Sequence, residues 1–261
     1  MPDSTDCFAP HRRNTFPPPP GLLARLGLVL QNWLEARVAA ASLHGDPPVY
    51  DPACFTWTAG LQQDWRAVRA ELDEVMRRLA ALPSFQDILE EVRVIQADDR
   101  WKTFWLCGVG MDCRDNQRRC PRTMQLLAGV PGLRTAFFSI LAPGKHIPAH
   151  RGAYNGVLRL HLALRVPEPQ SRCRIRIGNQ IHHWREGELL IFDDSFQHEV
   201  WNETEGLRAV LFVDFLRPLR QPWHALNALL IGLGRFAPFL RRARARQLRW
   251  SRAHYAPRPG A

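Results

Sequence analysis

Along VLRLHLAL (157–164) every second residue is leucine. In an extended chain, residues i and i+2 share a face, so Leu158, Leu160, Leu162 and Leu164 point one way and Val157, Arg159, His161 and Ala163 the other. The pattern predicts a strand with one greasy face. Its second face carries a guanidinium and an imidazole, so it is either open to water or lines a pocket that needs positive charge. Similar extended patterns predict strands at 101–109, 133–141, 156–166, 172–177, 180–185, 188–193 and 207–215. Gly178-Asn179, between CRIRI and QIHHW, is a two-residue hairpin signal. Many strands joined by Gly, Pro and Asp turns argue for a mainly β protein, a sandwich or barrel of the jelly-roll kind.

Elsewhere the period changes to that of a helix. GLLARLGLVLQNWLEARVAA (21–40) sets Leu22, Leu26, Val29, Leu30, Trp33 and Arg37 on one stripe. Arg25, Gln31, Asn32 and Glu35 interrupt it, which makes the segment too polar to span a bilayer. It reads as an amphipathic helix, docked on the body or lying on a membrane. Trp65, Val68, Leu72, Val75, Met76 and Leu79 predict a second helix over about 62–80. CPRTMQLLAG (120–129) predicts a short one, with Pro121 in its first turn and Gly129 past its end. The run WHALNALLIGLGRFAPFL (223–240) is broken by Gly232, Gly234, Arg235 and Pro238 and falls short of a spanning helix. It fits either an in-plane membrane element or a helix packed on the body.

The expected organisation is therefore a disordered polar and proline-rich start (1–20), a helical region (21–100), a β domain (101–218) and a C-terminal tail (219–261). Charge sharpens the view of the tail. The chain of 261 residues carries a net charge of +10, yet from Phe215 onward there are ten Arg and not one Asp or Glu. The rest is balanced. A basic, apolar tail on a neutral body suits an anionic membrane surface better than nucleic acid, for which no aromatic-basic reading platform is visible. The six cysteines form no CxxC, and the N-terminus has no apolar core of a secretory signal. Reduced thiols and an intracellular location are expected, with Cys113 and Cys120 either idle, bridged or metal-bound.

Two histidines stand out beside Arg159 and His161. His150, in GKHIPAHRG, and His198, in DDSFQHEVWN, lie 48 residues apart at the ends of predicted strands. In a jelly roll such strands can pair, and two imidazoles suit Fe(II), Ni, Zn or Cu. Position 152, where a carboxylate would complete a usual Fe(II) face, is glycine. Arg208 opens LRAVLFVDF on the face of Val210 and Phe212. A set of Arg and His beside a metal would suit a small dicarboxylate. Read from periodicity alone, both arginines also fit an outward-facing strand position.

The words FFSILAPGKHIPAHRG (137–152), VLRLHLAL (157–164), CRIRIGNQIHHWREGELLIFDDSFQHEVWN (173–202) and LRAVLFVDFLRP (207–218) together resemble the aspartyl/asparaginyl β-hydroxylase family of Fe(II)- and 2-oxoglutarate-dependent dioxygenases. The resemblance runs from about Trp101 to Pro218. It implies a double-stranded β-helix barrel, with Fe(II), 2-oxoglutarate and O2 as reaction partners. His150 and His198 would be the iron ligands, and Gly152 becomes an expected feature. Arg159 and His161 would meet the metal-proximal end of 2-oxoglutarate, while Ser139 and Arg208 would hold its far carboxylate. Asp194 would sit close by as a catalytic carboxylate able to orient metal-bound water. His146, Arg151, His182 and His183 are left to structural or surface roles.

WKTFWLCG (101–108) and RRCPRT (118–123) look most like the bacterial branch that hydroxylates acyl chains of lipid A or ornithine lipids. The implied substrate is a membrane lipid, met from the cytoplasmic side by a peripheral protein on the inner leaflet. A hydroxylase of Asp or Asn in a polypeptide and a cupin-shaped binding module without redox function are the competing classes.

Overall fold

In the computed structural model, residues 21–234 and 236–255 are described; the start expected to be disordered lies outside them, as does the end of the tail. The alternating segments form ten strands: β1 (Val49–Tyr50), β2 (Trp101–Cys107), β3 (Leu133–Leu141), β4 (Lys145–His150), β5 (Val157–Arg165), β6 (Cys173–Ile177), β7 (Gln180–His183), β8 (Leu189–Phe192), β9 (His198–Asn202) and β10 (Arg208–Leu216). Eight helices accompany them: α1 (Leu22–Ala41), α2 (Thr58–Gln63), α3 (Trp65–Met76), α4 (Phe85–Ile88), α5 (Arg114–Gln117), α6 (Pro121–Leu127), α7 (Trp223–Gly234) and α8 (Pro238–Tyr255). The single helix expected over 62–80 is two, broken at Asp64, whose carboxylate pairs with Arg122 on α6.

The strands form two antiparallel sheets. The larger has the order β1-β8-β5-β10-β3-β2, the smaller β4-β9-β6-β7. From β3 to β10 the chain passes back and forth between them, which makes the body the expected jelly roll. The strand expectations miss β1, β4 and β9. His150 is the last residue of β4 and His198 the first of β9, at strand ends as expected, and they face each other in register.

Both faces of the larger sheet are covered. The leucines of β5 join Phe138, Ile140, Leu211 and Val213 under α3 and α6, against Val68, Leu72 and Leu127. Burial of each such side chain stabilises the fold by about 1.5–3 kcal/mol. The opposite face, with Phe137, Ala163, Val210 and Phe212, packs on Ile147, Ile175 and Val200 of the smaller sheet. Arg159, His161, Ser139 and Arg208 share that second face. The polar side of the leucine ladder is therefore neither outward nor open; it looks into the space between the sheets.

α8 packs on the body through Ala243, Gln247 and Ser251, and the Trp250 indole N–H donates to the Ala81 carbonyl at 3.0 Å. Two of its arginines, Arg242 and Arg246, pair with Glu91 and Glu90. The five cysteines among the described residues are free thiols, so Cys113 and Cys120 form no bridge. No helix among the described residues is long and apolar enough to cross a membrane.

Candidate active site

The pairing of β4 with β9 brings the two imidazoles together, with ring centroids 4.2 Å apart. Each ring is held the same way. His150 Nδ1 lies 2.8 Å from the carbonyl of Pro148, and His198 Nδ1 lies 3.0 Å from that of Phe196. A carbonyl can only accept, so Nδ1 carries the proton and Nε2 presents its lone pair. Burial lowers both rings, His150 to about 4 and His198 well below the usual value, which keeps them neutral at pH 7. Two fixed, neutral imidazoles are the form in which histidine binds a metal. Among the described residues no third His, Cys, Asp or Glu converges with them.

Ser139, His150, Arg159, His161, His198 and Arg208 line one cavity, together with Trp101 and Phe212. Register explains the convergence: on β10, Phe212 pairs with His161 of β5 and Val210 with Ser139 of β3. Arg208 is 2 % exposed, and its Nε and Nη1 have no hydrogen-bond partner. Its guanidinium lies over the ring of Trp184, 4.5 Å from the ring centre. Burial pushes its guanidinium down to about 10. A buried cation without an anion is costly, and this one has none among the described carboxylates. Both ring nitrogens of His161 are likewise buried and unpartnered, and burial, with Arg208 and Arg159 nearby, lowers that imidazole strongly. These orphaned groups fit a small anionic ligand placed beside the two histidines.

Arg159 is different. Its Nε and Nη2 form a two-pronged pair with Asp214 at 2.9 and 3.2 Å, and Nη2 also reaches Asp194 at 2.9 Å. Although burial opposes its charge, these two carboxylates hold the guanidinium in the charged form. Asp194 is itself buried, and desolvation pushes its carboxyl up against the pull of Arg159. A Cβ at Gly152 would collide with the Asp194 carboxylate, so glycine is required there. The carboxylate missing from position 152 has its space filled by one arriving from the β8–β9 turn.

Three neighbours are absent from the sequence reading. Asp214 looked like a strand residue, and its partner is visible only through the β10–β5 register. Trp101, whose indole N–H donates to Ser139 Oγ at 3.0 Å, and Trp184 fall within the expected strands 101–109 and 180–185 with no role assigned. Among the histidines left to structural roles, His146 contacts Glu199 at 2.8 Å and stacks on Trp201, away from the cavity. Arg151 forms a buried pair with Glu35 at 2.8 Å.

The jelly roll thus encloses paired neutral imidazoles and an uncompensated guanidinium in one cavity between its sheets. Residues 62–218 match the model of the aspartyl/asparaginyl β-hydroxylase family, and the chain belongs to that family of hydroxylases. It is 47% identical over 237 residues to the ornithine lipid ester-linked acyl 2-hydroxylase of Rhizobium tropici, covering 91% of this chain and 84% of that one. To the human aspartyl/asparaginyl β-hydroxylase it is 35% identical over 170 residues, 62% of this chain but 21% of the human protein. A Pseudomonas putida prolyl-4-hydroxylase structure overlays with a TM-score of 0.40 at 20% identity, covering 59% of this chain and 87% of that one.

Proposed function

We propose that this hydroxylase depends on Fe(II) and 2-oxoglutarate and oxidises an ester-linked acyl chain of an ornithine-type membrane lipid at the carbon next to the carbonyl. The observation that carries the co-substrate is Arg208, a buried cation with no anion among the described carboxylates, lining the same cavity as two histidines in ligand form. The lipid is supported by the identity to the Rhizobium tropici enzyme over nine-tenths of this chain. Work on such a lipid would put the protein at the inner face of the cytoplasmic membrane.

The metal and co-substrate, when bound, would supply the oxidising power, with O2 consumed and 2-oxoglutarate leaving as succinate and CO2. The chain's own residues do the positioning. His150 and His198 offer Nε2 with no tautomer change to make, because Nδ1 is already committed to a carbonyl. Arg208 and the Ser139 hydroxyl, which share the cavity wall, would grip the far carboxylate. Trp101 occupies a lone pair of Ser139, which leaves the hydroxyl proton to donate. Asp214 and Asp194 hold Arg159 in one orientation beside the histidines. Phe192 and Phe212 keep water from the cavity wall.

The test is mass spectrometry of lipids from cells making the intact protein or His198→Ala, beside succinate formation by the purified proteins. A lipid heavier by one oxygen is expected only with the intact protein, and succinate formation should fall more than about 100-fold in the variant, beyond the cost of losing an outer partner of a ligand. Succinate formation by the intact protein without any oxygenated lipid would overturn the lipid reading and favour a polypeptide substrate.

A further inference from the structure

α1 and α7 are inside out. A surface helix ordinarily turns its apolar stripe to the core and its polar side to water. On α1, Leu22, Leu23, Leu26, Val29, Leu30 and Trp33 are all exposed, Leu23 by 85%. At 3.6 residues per turn they occupy about a third of the circumference. The opposite side faces the protein: Val38 and Ala41 pack on Leu219 near its C-terminal end, and the rest of its contacts are polar. The Gln31 amide donates to the carbonyl of Ala153 at 2.6 Å, Glu35 holds Arg151, and the Glu35 carbonyl accepts from Asn155 at 2.9 Å.

α7 repeats the arrangement. Asn227 is buried and donates to the Gly156 carbonyl at 2.7 Å, while Leu226, Leu229 and Leu233 are exposed. The two helices meet through Trp33 and Trp223, ring centroids 6.0 Å apart. Phe236 and Phe239, exposed beyond the end of α7, extend the apolar surface.

Charge names the occupant. Across α1, α7 and α8 the one acid is Glu35, and it is buried on Arg151. Arg25, Arg37 and Arg241, all exposed, border the apolar residues along the chain, while Arg242 is paired with Glu91. Leucines and phenylalanines bordered by arginine, with no exposed carboxylate on α1 or α7 themselves, suit the headgroup layer of an anionic bilayer, where apolar side chains insert and guanidinium groups meet phosphate.

Gln31, Glu35 and Asn227 all grip residues 151–156, the loop that leaves His150 for β5. We propose that the outward faces of α1 and α7, with Phe236 and Phe239, seat the protein in the surface of an anionic bilayer and set this loop at the membrane, so that the acyl chain enters the cavity from the His150 side. The site of docking stands on the exposed faces; the entry of an acyl chain rests on the lipid reading above.

Flotation of the full-length protein with phosphatidylcholine vesicles, with or without phosphatidylglycerol, tests the proposal. Intact protein is expected to float with the anionic vesicles, and Leu26→Glu/Leu229→Glu at least tenfold less. Both positions are exposed, so the melting temperature should stay put. Hydrogen exchange on the unaltered protein gives a second reading: α1 and α7 amides should slow on vesicle addition. No flotation of the intact protein, or no protection of these helices, overturns the docking. So does dissociation of a dimer by the double variant without any vesicle binding, which would make the face a contact between copies. Hydroxylation of detergent-dispersed lipid separates the claims: without vesicle binding it sinks the docking alone, whereas binding without oxygenated lipid sinks the lipid reading alone.

Discussion

The two faces of the larger sheet are built by the same strands and follow opposite rules. Toward α3 and α6 the sheet presents leucine, valine and phenylalanine. Toward the smaller sheet, the same β5 and β10 present Arg159, His161, Arg208 and Asp214, several with unmet hydrogen-bonding capacity. The first face makes the protein stable. The second costs stability, because buried polar groups without partners are penalised. A single strand such as β5 thus carries structure on even positions and chemistry on odd ones.

Substitutions one face apart should therefore differ in sign. The largest effect on folding is expected for Leu160→Ala, which leaves a hole among fully buried side chains and should cost about 2–5 kcal/mol in denaturant unfolding, with turnover per folded molecule retained. Arg208→Met should leave stability unchanged or raise it by about 1 kcal/mol, since it removes an uncompensated charge at similar volume. The same variant should weaken 2-oxoglutarate binding by about 2–5 kcal/mol, read as a thirtyfold or greater rise in its apparent KM. Loss of stability in Arg208→Met without a change in KM would erase the distinction between the faces.

The smallest effect tests where the faces agree. Cys120 lies in the helix-side core and Cys113 in the inter-sheet core, and burial pushes both thiols up to about 12. At pH 8 such a thiol is thiolate in about one molecule in ten thousand, so neither should be alkylated in the native protein, while exposed Cys54 reacts. Because the thiols are raised, reactivity should appear only as pH climbs toward 12 or the chain unfolds. Modification of Cys113 ahead of Cys120 at pH 8 would mark the inter-sheet layer as the looser of the two.

The helix-side face was legible because leucine at every second residue needs no partner to be understood, and the strands of the larger sheet from β2 to β10 lie within about two residues of their expected bounds. β4 and β9 were not. KHIPAH contains proline and two histidines and is half exposed, and HEVWN is short and polar at its start, so neither shows clean alternation. Of the residues that the resemblance assigned to the site, Ser139, His150, Arg159, His161, His198 and Arg208 line one cavity, whereas Asp194 stands behind Arg159 and outside the lining. Asp214 and Trp184 escaped because their roles depend on which strand lies next door. The stripe on α1 was visible, but a period says that a helix has two sides and not which one meets the protein; Gln31 and Glu35, apparent interruptions, are its docking contacts.

Gly152 and Asp194 have a consequence for how such a site can change. The space beside His150 that a carboxylate at 152 would need is already taken by Asp194, itself tied to Arg159. Adding an acid at 152 alone meets a collision, and removing Asp194 alone strips Arg159 of one counter-charge. The two positions are coupled: an acid at 152 needs Asp194 out of its way, while Arg159 keeps its pair with Asp214 when Asp194 is lost, so the order open to a lineage, or a designer, is to change 194 first and 152 second.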